Sequence, residues 1–225
     1  FMLMFDPLYF IILAPGFLLA AWATIKVKGN FSRYSKVRSS SGMTGAEVAR
    51  EILRKNNLFD VQVVETPGTL SDHYDPSRRI VRLSPEVYRS PSVASVAVAA
   101  HEVGHALQHA KEYAPLALRS AAVPMARIGS FAPWIMIFLG SFLQIAGLIY
   151  LGIFLFTGMV AFQIITLPVE FNASSRAKEQ LTTLGLVSNS DSTGVGKVLS
   201  AAAMTYVAGA ITAILTLLYY LLRLG

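Results

Sequence analysis

The chain has 225 residues, 54% of them hydrophobic and only 14% charged, with a net charge of +6 and no cysteine. That balance is too apolar for an ordinary water-soluble domain and points to membrane-spanning segments. Without cysteine there is no disulfide framework and no thiolate metal site, so any zinc centre has to use histidine and carboxylate ligands.

The first candidate span covers residues 8–27, LYFIILAPGFLLAAWATIKV, with no charge before Lys26. It is long enough to cross a hydrocarbon core of about 30 Å. Pro15 and Gly16 inside it are tolerated better in membrane helices than in soluble ones. A signal peptide is the rival reading, but Asp6 is the only charge ahead of the run and no small-residue cleavage site stands out.

Residues 28–127 form a hydrophilic segment with a small folded unit. RYSKVRSSSGMTG reads as a linker. TGAEVAREILRKNNL opens with a Thr44/Glu47 capping-box pattern and sets Val48, Ile52 and Leu53 on one helical face. DVQVVET alternates like a short strand, PGTLSDHYDPSRR has turn chemistry throughout, and RIVRLSPEV alternates as a strand that ends at Pro85. A helix over about residues 92–112 follows, halted before Pro115.

Residues 131–169 contain no charge at all. At ~1.5 Å rise per residue that is nearly twice one span, so a helical hairpin is expected, with spans at 129–146 and 148–169 and a turn around 144–147. Pro168 marks a break after which Glu170 opens a new helix. Residues 170–200 form a second hydrophilic segment, helical at first and then turn-rich in LVSNSDSTGVGK. Residues 202–222 are the fourth span.

Lysine and arginine positions set the orientation. Lys26, Lys28, Arg33, Lys36 and Arg38 follow span one, Arg119 and Arg127 precede span two, and Arg176, Lys178 and Lys197 lie between spans three and four. In a four-span arrangement all share one side and only Arg223 falls opposite, which puts both hydrophilic segments in the cytoplasm and both termini outside. The positive balance then belongs to topology and to an anionic lipid surface. No nucleic-acid partner is expected, because no basic-aromatic interleaving or known module accompanies it.

The chemistry is concentrated in AVAAHEVGHALQHA, residues 97–110, which holds three of the four histidines. His101 and His105 are four residues apart, so on a helix they share a face about 40° apart and can bind one zinc ion. Glu102 is placed to meet the metal-activated water as a general base, the H-E-x-x-H arrangement. His109 lies about 12 Å along the axis from His101, awkward for the same ion, and reads as a flanking residue. The longer pattern with a third histidine fails, since Gln108 and Lys111 occupy its Gly and His positions. A third ligand must come from elsewhere. Glu170, directly after a span, is the candidate, against the alternative that its carboxylate merely answers a helix dipole.

With these elements in view, the chain resembles the YugP-type neutral zinc metallopeptidases of bacterial membranes. The resembling blocks are SGMTGAEVAREIL, LSDHYDPSRRIVRLSPEVY, VASVAVAAHEVGHALQ and LPVEFNASSRA, and they cover most of the chain outside the spans. The E-F-x-A element is also similar to the helix that carries the glutamate ligand in HtpX-type membrane peptidases. The resemblance implies a gluzincin-like site, with His101, His105 and Glu170 on one Zn²⁺ and Glu102 as base. Related gluzincins carry an Asp four residues after the ligand Glu. Here that position is Ser174, and Asn172 stands where an Asp would be expected in this family, so both are candidates for orienting the ligands.

The expected fold is therefore mainly α, with about four transmembrane helices and a small α+β zincin-like cytoplasmic unit. The expected function is a multi-pass metalloendopeptidase of the bacterial inner membrane, its substrates peptides or membrane proteins, with membrane protein quality control as one setting. His73 and Tyr74, in DHYDP, are candidates to donate to the oxyanion or to contact substrate. They precede the Ile80–Leu83 strand, expected to be the edge along which a peptide backbone pairs. The turn-forming reading of DHYDP stands beside that one. Two rival functions stand against this reading. An intramembrane protease would need its histidines inside a span, whereas Arg89, Lys111 and Glu112 flank this helix. A non-catalytic scaffold with structural zinc would need four closed ligands. Small residues in GSFLQIAG and GAITA suit packing against oligomeric or regulatory membrane partners.

Overall fold

The computed structural model describes residues 6–224. Seven helices and three strands follow in the order α1 (Pro7–Tyr34), α2 (Gly45–Lys55), β1 (Gln62–Glu65), β2 (His73–Asp75), β3 (Ile80–Leu83), α3 (Pro85–Arg89), α4 (Val93–Ala110), α5 (Ala114–Leu143), α6 (Ala146–Thr183) and α7 (Asn189–Leu224). Four of them, α1, α5, α6 and α7, are long and apolar enough to cross a membrane. They pack side by side in the order α1, α7, α6, α5. Their outer faces carry Ile11, Leu18, Ile25, Phe154 and Leu221 in the open, an apolar surface far larger than water tolerates and one that lipid accepts.

The small unit is built on a three-stranded sheet in the order β1-β3-β2, with β1 parallel and β2 antiparallel to β3. In β3, Val81 and Leu83 point inward, as the alternation requires. The strand expected to be the edge, Ile80–Leu83, is instead central. The edge is β2, formed by His73–Asp75 inside the stretch whose composition reads as turn. Its Tyr74 pairs with Val81, and pairing over three residues is too short to leave a periodic signal. Thr44 and Glu47 form the full capping box at the start of α2, and α3 occupies residues that looked like the end of a strand, with Pro85 at its first position.

The largest difference from the sequence reading concerns the long helices. No break follows Pro168: α6 runs unbroken through it, and Glu170 lies inside the helix. Proline removes one backbone donor, a loss that a helix packed between neighbours can absorb. With no helix start at Glu170, its carboxylate has no N-terminal dipole to answer. α5 starts at Ala114, well before its apolar part, and takes in Arg119 and Arg127. α7 starts at Asn189, inside the stretch read as turn-rich. Ser188 Oγ accepts from the Asp191 amide at 3.2 Å, and Asp191 Oδ2 in turn accepts from the Ser40 amide at 2.9 Å. A serine cap, not a loop, explains that polar composition. α6 ends at Thr183, and Gly185 just beyond it, with a φ of +64°, permits a Schellman closure: the Leu186 amide donates to Leu181 O at 2.9 Å and the Gly185 amide to Thr182 O at 3.1 Å.

α6 and α7 therefore project past their apolar portions into the small unit. Ala177 and Leu181 of α6, with Val195, Val198 and Leu199 of α7, join one core with Val48 and Ile52 of α2, Val81 and Leu83 of β3, and Val96 and Val103 of α4. α4 lies against α6 at van der Waals limit. A Cβ placed on Gly104 would stand 2.5 Å from the Ala173 carbonyl oxygen. Gly104→Val should therefore force the two helices apart, lowering both the melting temperature in detergent and the zinc content of the purified protein. An unchanged melt and full zinc occupancy would contradict this packing.

Candidate metal centre

α4 presents His101 and His105 one turn apart on the face that meets α6, and α6 presents Glu170 to both. Glu170 Oε2 lies 3.2 Å from His101 Nε2 and 3.6 Å from His105 Nε2. One ligand atom from each of the three residues falls within 4.8 Å of the others. Zinc in four-coordination, with bonds of about 2.0–2.1 Å, holds its ligand atoms about 3.3–3.4 Å apart. The two carboxylate–imidazole distances lie close to that spacing.

The hydrogen bonds behind the triad decide which nitrogens face the ion. Gln108 is completely buried. Its Nε2 donates to Val169 O at 2.7 Å and to Asn172 Oδ1 at 3.0 Å, which turns its Oε1 toward His105 Nδ1 at 3.0 Å. His105 Nδ1 must then carry the proton, leaving the Nε2 lone pair pointed at Glu170. Ser174 Oγ stands 3.2 Å from His101 Nδ1 and can accept from it in the same way. Asn172 is held in turn by Arg176 Nε at 2.7 Å. Two imidazole lone pairs and a carboxylate oxygen thus converge at close range with no proton donor among them. A cation between them removes the repulsion, and the donor set of two nitrogens and one oxygen suits zinc.

Glu102 follows His101 on α4 and lines the same cavity of about 260 Å³. Burial pushes its carboxyl above the usual carboxylate range, only partly opposed by the neighbouring imidazoles. Burial alone would depress His105, but the carboxylates of Glu170, 3.6 Å from its Nε2, and of Glu102 raise it. Asp72, also on the cavity wall, is raised by burial against the pull of the Ser84 amide, which donates to it at 2.7 Å. A second cavity of about 150 Å³ shares His101, Glu102, Asp72 and Tyr206 with the first and extends between α1 and α7, past Val27 and Val198.

Among the other residues singled out in the sequence, His73 and Tyr74 both line the main cavity. His73 Nδ1 is 2.8 Å from Ser71 O, and the Tyr74 hydroxyl is 2.9 Å from His109 Nδ1. His109 thus faces Tyr74 and stays outside the triad. Three residues at the site were not foreseen. Gln108 was visible only as a mismatch to the longer histidine motif, although it sits three residues from His105 and hence on its face. Arg119 was counted for topology alone, and Tyr206 lay hidden in an apolar span.

Comparison with known proteins places the chain in a family. The profile of the family described as "Putative neutral zinc metallopeptidase" matches residues 9–225. The chain belongs to this family. The chain is 52% identical over 204 residues to the "Putative membrane protease YugP" of Bacillus subtilis, covering 91% of each chain. No solved structure matches the chain.

In this metallopeptidase family member, Gln108→Leu should weaken zinc binding by about 10–100-fold, because His105 loses the partner that fixes its tautomer. Competition with a chromogenic chelator measures it. Wild-type affinity in the variant would show that the Gln108 hydrogen bond does not hold the ligand.

Proposed function

We propose that this protein is a membrane-bound zinc endopeptidase with a zincin-like, gluzincin-type site at the cytoplasmic face of the bacterial inner membrane. One observation carries the reading: His101, His105 and Glu170 converge from two helices beside the buried carboxyl of Glu102, in a cavity that leaves room for substrate. Zinc held by the three ligands would polarise the scissile carbonyl and lower the pKa of a water molecule to about 7. Glu102 takes the proton of that water as its oxygen adds to the carbonyl carbon. The same carboxyl then delivers the proton to the amide nitrogen as the C–N bond breaks, so one water is consumed and an acid and an amine leave. β2 lies at the rim of the cavity with its outer side at the sheet edge, placed for an extended peptide to pair with it.

The cytoplasmic orientation rests on the positive-inside distribution. In the structure the basic segments and the metal centre lie at the same end of the bundle, since α4 packs on the extensions of α6 and α7. An intramembrane protease is disfavoured because α4, 18 residues long, is packed into the core of the small unit and is not one of the spanning helices. A structural zinc role is disfavoured by the three-residue donor set and the adjoining cavity. A site at the membrane surface suits membrane proteins or peptides released beside the bilayer, the substrates that quality control would deliver.

Glu102→Gln should keep about one zinc per chain while kcat/KM on a cleaved peptide falls by at least about 10²-fold. Full activity in that variant, with zinc retained, would remove Glu102 as the base.

A further inference from the structure

Arg119 has no explanation in the ligand set, and its surroundings give it one. It lies on the second turn of α5, below the apolar part of that helix, and reaches into the cavity that holds His101, Glu102, His105 and Glu170. Its Nη2 is 3.5 Å from Glu170 Oε1, too far for a hydrogen bond, and its Nε is buried without a partner. A guanidinium has five donors in a fixed fork and no means of shedding its charge, so buried donors with no acceptor are costly unless something arrives to accept from them. A cation beside Glu170 also competes with the metal for that carboxylate. Arg119 is therefore badly placed to strengthen zinc binding and well placed to meet negative charge that develops next to it.

Resting on the peptidase reading above, we propose that Arg119 is a catalytic residue: it donates to the scissile carbonyl oxygen as that oxygen becomes negative. The other polar groups on the cavity wall are more committed. The Tyr74 hydroxyl meets His109, and His73 Nδ1 meets Ser71 O. Asp72 and Glu102 are acceptors when ionised and would repel the developing charge. Tyr206, across the cavity on α7, is positioned to share the task but carries no formal charge. Among the described residues that line the cavity, Arg119 alone carries a permanent positive charge, and its Nε has no partner. A preorganised donor aimed at charge that appears only in the transition state lowers the barrier without tightening ground-state binding.

The test uses the full-length protein in detergent, comparing wild type with Arg119→Ala, Arg119→Gln and Arg119→Lys. Three quantities are read: zinc affinity by chelator competition, kcat and KM on a peptide that wild type cleaves, and binding of a phosphonamidate peptide that mimics the oxyanion. In Arg119→Ala and Arg119→Gln, zinc should bind as tightly as in wild type or more tightly. Their kcat should fall by about 10²–10³-fold with KM little changed, phosphonamidate affinity should fall in parallel, and lysine should restore part of both. Should the alanine variant fail to fold, the glutamine variant carries the same comparison. Zinc loss that accounts for the loss of activity would make Arg119 a support for Glu170 and overturn the proposal. Near-wild-type kcat and phosphonamidate binding in both uncharged variants would overturn it too, while leaving the peptidase reading intact. Zinc-loaded wild type that neither cleaves peptides nor binds the phosphonamidate would overturn the peptidase reading itself, and this proposal with it.

Discussion

The closeness of α4 to α6 is the constraint on which the site depends. Two histidines on one helix are a half-site, and the third donor comes from a separate helix, 38 residues long, that begins at Ala146. Only where Gly104 meets the Ala173 backbone do the axes come near enough for Glu170 to stand within about one metal-ligand polygon of both imidazoles. Small residues make that approach. Ala97, Ala100 and Gly104 on α4 and Ala173 and Ala177 on α6 are all buried, and small residues let helix backbones pack closely. The apolar core around them supplies the drive: the fully buried Val96, Val103 and Leu181 flank the polar residues of the site.

Bringing a carboxylate and two imidazoles out of water together is unfavourable unless their remaining polar atoms are met. The structure meets the ring nitrogens with the help of α6, while Glu170 Oε1 keeps no hydrogen-bond partner. Ser174 faces one ring; Asn172 and the Val169 carbonyl hold Gln108, which faces the other. One stretch of one helix therefore provides a metal-facing carboxylate and the contacts that orient both rings, so α6 acts as a rigid template. Because α6 is also long and apolar enough to cross a membrane, the number of residues between its apolar part and Glu170 would set the depth of the site relative to a bilayer. The cavity at the site has one arm between α1 and α7.

The sequence was most readable where a local signal had one physical meaning. The capping box at Thr44 and Glu47, the i, i+4 histidines and the alternation of β3 need only neighbours along the chain. The four apolar runs declared four helices able to span a membrane, but not where those helices end. Residues 186–197 read as turn-rich because composition there resembles loop, whereas packing on the small unit keeps those from Asn189 onward helical. Pro168 misled for the same reason: a proline ends a helix in isolation, and tertiary neighbours override it. β2 and the role of Gln108 depend on partners 7 and 61 residues away in sequence, Val81 for Tyr74 and Val169 for Gln108, and no window of sequence contains that information.

Zinc K-edge X-ray absorption on the purified, zinc-loaded protein tests the central claim most directly. Two imidazole nitrogens with only oxygen in the remaining positions, at about 2.0–2.1 Å, is the coordination expected of His101, His105 and Glu170 with a position left for water or substrate. A shell with three or more imidazoles, or one with no imidazole at all, would contradict the account, because neither can be built from the residues that α4 and α6 bring together.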